Sequence, residues 1–223
     1  CNATRGIGIN KGEIEKSIYN VLNDTSTIEE TIIKTKYKNL YVLPANINLA
    51  GIDIELEHKD SNISKAEQLK YHISKIKDKY DYIIIDCNPS LDVCLINVLC
   101  CSNIVYILID TSAYSFVGLT NLVNFIEKVK PLNPNLNIGG FIFNKIDRRT
   151  TLFKEIIDAV NHIYPDKLLN YQQPLPDRIF SLSGIIKPDF WKQLSPFFPF
   201  LPDSLFLFFQ NPFHPPDPFF ISV

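Results

Sequence analysis

The chain has 223 residues, 46% hydrophobic and 21% charged, with 22 Lys and Arg against 24 Asp and Glu for a formal net charge of −2. That balance excludes a disordered chain and removes global basicity as an argument for nucleic-acid binding, leaving only a local patch. Five cysteines with no C-x-x-C pair and four scattered histidines lack zinc spacing and read as reduced, buried thiols of a cytosolic protein.

The sequence opens on Cys1 and contains no Met, which reads as a fragment beginning inside a fold. No basic-plus-apolar leader is visible, so no signal peptide is expected. In chain order, Thr25 to Ile33 predicts a short helix and Leu40 to Leu43 a strand. Ile63, Ala66, Leu69, Ile73, Ile76 and Tyr80 recur every third or fourth residue. That spacing predicts one helix with a single apolar face, N-capped by Asp60, Ser61 or Asn62. Tyr82 to Ile85 is a continuous, mostly β-branched apolar run ended by Asp86, which implies a strand buried on both faces. Leu91 to Cys101 predicts a buried helix and Ile104 to Ile109 a second buried strand. Leu119 to Val129 predicts an amphipathic helix, Ile138 to Phe143 a third strand, and Leu152 to Ile163 a further helix.

The alternation β-α-β-α-β-α predicts an α/β fold, a parallel sheet flanked by helices. Residues 174–223 break the pattern, holding ten of the 15 prolines and 11 of the 16 phenylalanines. Pro196 to Pro202 fits neither helix nor strand periodicity, and Phe213 to Phe220 repeats the problem. The prolines also deny it the ~20 uninterrupted apolar residues of a membrane span. This irregular tail reads as disordered or as a frameshift or readthrough product, so no function is argued from it.

Ligands of parallel sheets bind at the carboxyl ends of strands, which directs attention to Asp86 to Ser90, Asp110 to Tyr114 and Asn144 to Arg149. Asp86 can hold a Mg²⁺ against nucleotide phosphates, or it can cap the following helix. Ser90 can cap that helix, and the helix N-terminus can face an anion. Asn144-Lys145-Ile146-Asp147 has the N-K-x-D form that P-loop GTPases use to read guanine, and an Asn amide can both donate to and accept from a base edge. Arg148 and Arg149 form either a phosphate contact or a solvated turn. No G-x-x-x-x-G-K-[ST] string occurs in the 223 residues.

Several strings in order resemble the ParA/Soj-type partition ATPases. Asn2-Ala3-Thr4-Arg5-Gly6-Ile7-Gly8 resembles the end of their switch segment, and Leu40 to Gly51, followed by Glu55, their "LxxLPSNIxLAGxE" segment. Tyr80 to Leu91 is similar to their Walker B run "YDYIIIDCPPSL", Tyr114 to Leu119 to "YxLxGL", and Phe143 to Thr150 to the late strand with "D-x-R-T". Cys1 stands where Gly is usual, Asn88 replaces the first Pro of a pair, and Ser112 stands where an acid is common.

The resemblance implies a deviant-Walker P-loop ATPase acting on ATP with Mg²⁺. It implies an ATP-dependent homodimer, nonspecific nucleoid DNA and a ParB-type centromere-binding protein as partners, and a cytoplasmic, nucleoid-associated location without membrane binding. It carries over Asp86 as the carboxylate near Mg²⁺, Asn2 and Thr4 as switch residues and Asn144 as a base contact. The switch Asp and the P-loop Lys would lie outside the chain. Residues 1–173 then form a partial ATPase domain and 174–223 the tail. A β-α-β unit of about 30 residues or more would be missing, leaving an open apolar slot, an inactive protein and a tendency to aggregate. The alternatives are a P-loop GTPase and a degenerate, non-hydrolysing interaction protein. A MinD-like membrane branch lacks the amphipathic basic helix it needs.

Overall fold

The computed structural model describes residues 4, 9, 12, 14–37, 39–88, 90–109, 115–143, 151–165, 167–168, 205–210 and 218–222. Helices α1 (Ile18–Leu22) and α2 (Ile28–Thr31) lead into a short strand, β1 (Ile33–Lys34), and then β2 (Tyr41–Leu43). A 3₁₀ turn over Ile47–Gly51 precedes α3 (Ile52–His58), and α4 spans Gln68–Ser74. Then follow β3 (Tyr82–Cys87), α5 (Val93–Cys101), β4 (Ile104–Ile109), α6 (Ser115–Val129), β5 (Asn137–Phe143) and α7 (Thr151–Ile163). The last two strands are β6 (Leu205–Gln210) and β7 (Pro218–Ser222).

Among the described residues seven strands form one sheet in the order β1-β2-β7-β3-β6-β4-β5. The α/β architecture is as expected, and β4 and β5 pair in parallel. Three pairings are antiparallel: β1 with β2 at the edge, and β6 with both β3 and β4 in the interior. The expected irregular tail therefore differs at 205–210 and 218–222, where segments of it join the sheet as strands. The physical reason is local. Within 205–210 there is no Pro, and in 218–222 the single Pro stands at the first position, where a strand tolerates it. Pro196 to Pro202 lies outside the described residues.

The strands and helices expected after residue 80 stand within two residues of their predicted bounds, α6 apart, which begins four residues early at Ser115. Two earlier elements do not. The helix expected over Thr25 to Ile33 shrinks to α2, capped by the Thr27 hydroxyl, which accepts from Glu30 N; Ile33 instead starts an edge strand. The helix expected from Ile63 to Tyr80 is only α4, and none of Asp60, Ser61 or Asn62 caps it. Side chains take the backbone groups that a longer helix would need. Ile63 N donates to Ser61 Oγ, the Ile63 carbonyl accepts from Gln68 Nε2 at 2.8 Å, and the Lys65 carbonyl accepts from Asn97 Nδ2 at 2.7 Å. Such local bonds compete directly with helix formation.

The core lies between the sheet and its helices. Ile83, Ile84 and Ile85 of β3 are buried, as are Leu95, Val98 and Leu99 of α5 and Ile126 and Val129 of α6. A polar cluster ties α1 to α4. Asp24, in the left-handed region at φ 59°, pairs with Lys59 Nζ at 2.6 Å and with His72 Nε2 at 3.2 Å. Lys59 also donates to the Leu22 carbonyl at 2.8 Å and to Gln68 Oε1 at 2.7 Å. Burial pushes the His72 imidazole down to about 4, with Asp24 opposing that shift.

Candidate functional site

Asp86 is the fifth of six residues in β3 and only 5% exposed. The preceding apolar run forces this strand into the sheet interior, and its register sets Asp86 opposite Phe206 of β6 and Ser222 of β7. Asp86 is thus a strand residue and not the cap of the next helix. That role falls to Asp92, whose carboxylate accepts from Leu95 N at 3.0 Å; Ser90 does not cap it.

The surroundings of Asp86 are acidic. Burial pushes the Cys87 thiol well above its ordinary range, and the charges of Asp86 and Asp92 push it further. Burial, then Asp92 and Asp53, lift Cys94 to about 12. Asp53 itself is raised by burial and by repulsion from Asp92. Both thiols stay protonated and carry no nucleophilic or ligand role at neutral pH.

Thr4 is buried, and its hydroxyl accepts from Ala45 N at 3.4 Å, two residues beyond the end of β2. The structure so places Thr4 and Asp86 at the carboxyl ends of two strands, β2 and β3. Asn2 and Asn144 lie outside the described residues, as do Arg148 and Arg149. Glu55 accepts from the Tyr19 hydroxyl and from Asn23 Nδ2, joining α3 to α1.

The sequence reading missed three apolar side chains that follow the same strand ends. Ile47 follows β2, Leu91 follows β3 and Val117 follows β4, and all three are exposed. Ile47 opens the 3₁₀ turn, Leu91 lies in the connection from β3 to α5, and Val117 lies in the first turn of α6.

Among the described residues no three His, Cys, Asp or Glu gather into a metal cage. A buried carboxylate at a strand end fits Mg²⁺ nonetheless, because that ion is usually held by one or two carboxylates together with substrate phosphates and water. Also among the described residues, no helix is long and apolar enough to cross a membrane.

The AAA_31 family, an AAA domain, matches residues 1–138. The sporulation initiation inhibitor protein Soj of Bacillus subtilis is 38% identical over 179 residues, covering 80% of this chain and 69% of that protein. The chain belongs to the ParA/Soj family of ATPases. The chromosome-partitioning ATPase Soj of Treponema pallidum is 33% identical over 171 residues, and the chain spans 65% of its length. A plasmid partition protein from Borrelia burgdorferi superposes with TM-score 0.60 at 27% identity, covering 86% of this chain and 73% of that one. The α/β sheet and helices described above agree with that family's P-loop ATPase fold.

Proposed function

We propose that the protein serves DNA partitioning as a ParA/Soj-type ATPase, and that Asp86 is the residue through which it engages Mg²⁺ and nucleotide. The observation that carries this reading is the burial of Asp86 at the carboxyl end of an interior strand, within the run Tyr80 to Leu91. A carboxylate there is held by the sheet and keeps its direction without reorganisation during reaction. Bound beside it, Mg²⁺ supplies neutralisation of the charge that develops on transferring phosphoryl oxygens. Asn2 and Thr4 belong to the switch side of the site and Asn144 to the base side.

The exposed Ile47, Leu91 and Val117 support an ATP-dependent homodimer that closes over this end of the sheet, since burying such side chains favours association. Nonspecific DNA and a ParB-type centromere-binding protein complete the proposed cycle in the cytoplasm, with hydrolysis stimulated by the latter and acting as its timer.

Equilibrium titration of the full chain with a fluorescent ATP analogue, with and without EDTA, tests the reading. We expect binding that requires Mg²⁺ and weakens at least ~10-fold in Asp86→Ala, one bidentate or charged contact being worth more than 1.4 kcal/mol. Equal competition by GTP would transfer the reading to a GTPase with Asn144 and Asp147 on guanine. No nucleotide binding at all would leave an interaction protein.

A further inference from the structure

The formal charge of −2 is spread unevenly over the two ends of the sheet. At the carboxyl ends of β2 and β3 stand Asp86 and the acidic helix α3, with Asp53, Glu55 and Glu57 exposed. The opposite, amino-terminal end of the same strands is basic. Lys34, Lys36, Lys75, Lys77 and Lys79 are exposed there, against Glu29, Glu30 and Asp78. Glu30 is already held by Lys16 at 3.1 Å. Lys34, Lys36 and Lys75 pair with no carboxylate among the described residues.

Tyrosines interleave with these lysines. Lys34 stands opposite Tyr41 in the β1–β2 ladder, so both side chains leave the same face of the sheet. The Tyr41 ring meets Tyr80 edge to face, with centroids 5.6 Å apart and planes at 62°. Lys34, Tyr41, Lys79 and Tyr80 line one open recess of about 260 Å³, together with the buried Ile76 and the exposed Glu29. Lys79 Nζ lies 3.5 Å from Glu29 Oε1. Beyond the recess, Lys36 Nζ lies 5.3 Å from the Tyr37 ring and Lys75 Nζ 4.1 Å from the Tyr71 ring.

We propose that this edge of the sheet is a binding surface for single-stranded nucleic acid. One unpaired base enters the recess against Tyr41 and Tyr80, and the flanking phosphates sit on Lys34 and Lys79. Three features select that ligand. Every base offers a π-face to a tyrosine and every phosphate a charge to a lysine, the combination by which single strands are gripped without sequence preference. A duplex keeps its bases stacked inside and offers the rings none. The recess is smaller than the ~300–1,000 Å³ that encloses a whole small ligand, and suits a single ring. The cations also continue past the recess to Lys36, Lys75 and Lys77, within reach of an extended strand and of no free mononucleotide. The surface is separate from Asp86: six residues of extended chain from Tyr80 put the two about 20 Å apart. It stands or falls independently of the nucleotide reading above.

Fluorescence anisotropy of the full chain with a labelled oligo(dT) strand, in EDTA and without ATP, tests the proposal. We expect binding that weakens at least ~10-fold in the double variant Lys34→Glu, Lys79→Glu, and about 5-fold or more in Tyr41→Leu, which removes a ring from the base. The slope of log K against log salt should fall by about 0.7 for each phosphate contact removed. Lys65→Glu reverses a charge on the α3 side, beside Glu57, and should leave the affinity unchanged. No binding of oligo(dT), equal weakening by Lys65→Glu, or equally tight binding of thymidine monophosphate overturns the proposal. So does equal binding of a hairpin duplex, which makes the lysines a duplex backbone contact, or full displacement by polyglutamate at equal charge, which assigns the surface to an acidic protein.

A photochemical measurement needs no variant. Oligo(dU) carrying 5-iodouracil cross-links to aromatic rings that it touches. On the unaltered chain, peptide mass should place the adduct on Tyr41 or Tyr80, and an adduct found only elsewhere overturns the placement.

Discussion

At the scale of single residues, the tightest constraint sits at Gly139. The register between β4 and β5 shifts after Val105 and Ile138, so that Gly139 is passed over and Tyr106 pairs with Gly140. A Cβ at Gly139 would stand 2.4 Å from Ile104 Cγ2 and 2.8 Å from the Tyr106 ring. Tyr106 is itself buried and cannot swing aside into solvent. Gly139→Ala should therefore destabilise by about 1–3 kcal/mol through overpacking, read as a lower urea midpoint. Gly118 is the control: it lies in α6, and a Cβ there meets nothing within 4 Å. Gly118→Ala should stabilise by up to about 1 kcal/mol, the helix-propensity difference.

His72 gives the second residue-scale prediction. Its pKa is about 4 in the folded protein, held there by burial and by the charges of Lys75 and Lys59 against Asp24. An unfolded imidazole titrates near 6.5. The unfolded state thus takes up the proton first, and stability is full above about pH 6.5 and falls as pH drops toward about 4. His72→Gln should flatten that part of the stability–pH curve. Lys59→Met removes a cation that faces the ring and should move the His72 titration upward, followed by NMR of the imidazole carbons.

At the scale of elements, α5 shows how a wholly apolar helix is held in place. Its one buried amide, Asn97, is satisfied at three points. Oδ1 accepts from Leu69 N at 3.0 Å, and Nδ2 donates to the carbonyls of Lys65 at 2.7 Å and Val93 at 3.0 Å. This side chain thereby fixes the start of α4 against the middle of α5. Asn97→Leu leaves the buried Leu69 N–H without its partner, at about 1–3 kcal/mol. Thermal unfolding should show a loss of that order, and Asp92→Ala a smaller one of about 1 kcal/mol from the lost N-cap. At the other end of α5, Asn133 Nδ2 donates to the Leu99 carbonyl at 2.8 Å and the Ser102 carbonyl at 2.6 Å, so the helix is closed by the adjacent Asp92 at its start and by a side chain distant in sequence at its end.

At the scale of the whole molecule, the sheet depends on strands that arrive last in the chain. Phe208 stands between Ile84 of β3 and Ile104 of β4. A proline at an interior strand position removes a ladder donor and is not accommodated there. Phe208→Pro should unfold the sheet as a unit, with a loss of about 3 kcal/mol or more in chemical denaturation. An unchanged midpoint would place 205–210 outside the sheet. Contacts this far apart in sequence also predict slow folding, because the chain must close a long loop before β6 can pair.

The sequence by itself determined the elements whose periodicity is uninterrupted. Ile83 to Ile85, Ile104 to Ile109 and Ile138 to Phe143 announce buried strands because residues hidden on both faces must be apolar at every position. Asp86 stood out for the complementary reason, as a charge placed directly after such a run. The ParA/Soj resemblance rested on the strings Asn2 to Gly8, Leu40 to Gly51, Tyr80 to Leu91, Tyr114 to Leu119 and Phe143 to Thr150. Tertiary structure alone decided where the polar backbone groups went. Asn97 captures the Lys65 carbonyl, which a longer α4 would have used, and no local pattern encodes a partner 32 residues away. It alone decided the order of the strands, too. The Phe and Pro content of 174–223 describes an irregular segment, yet 205–210 and 218–222 become strands because the open edges of β3 supply hydrogen-bond partners that the segment lacks on its own.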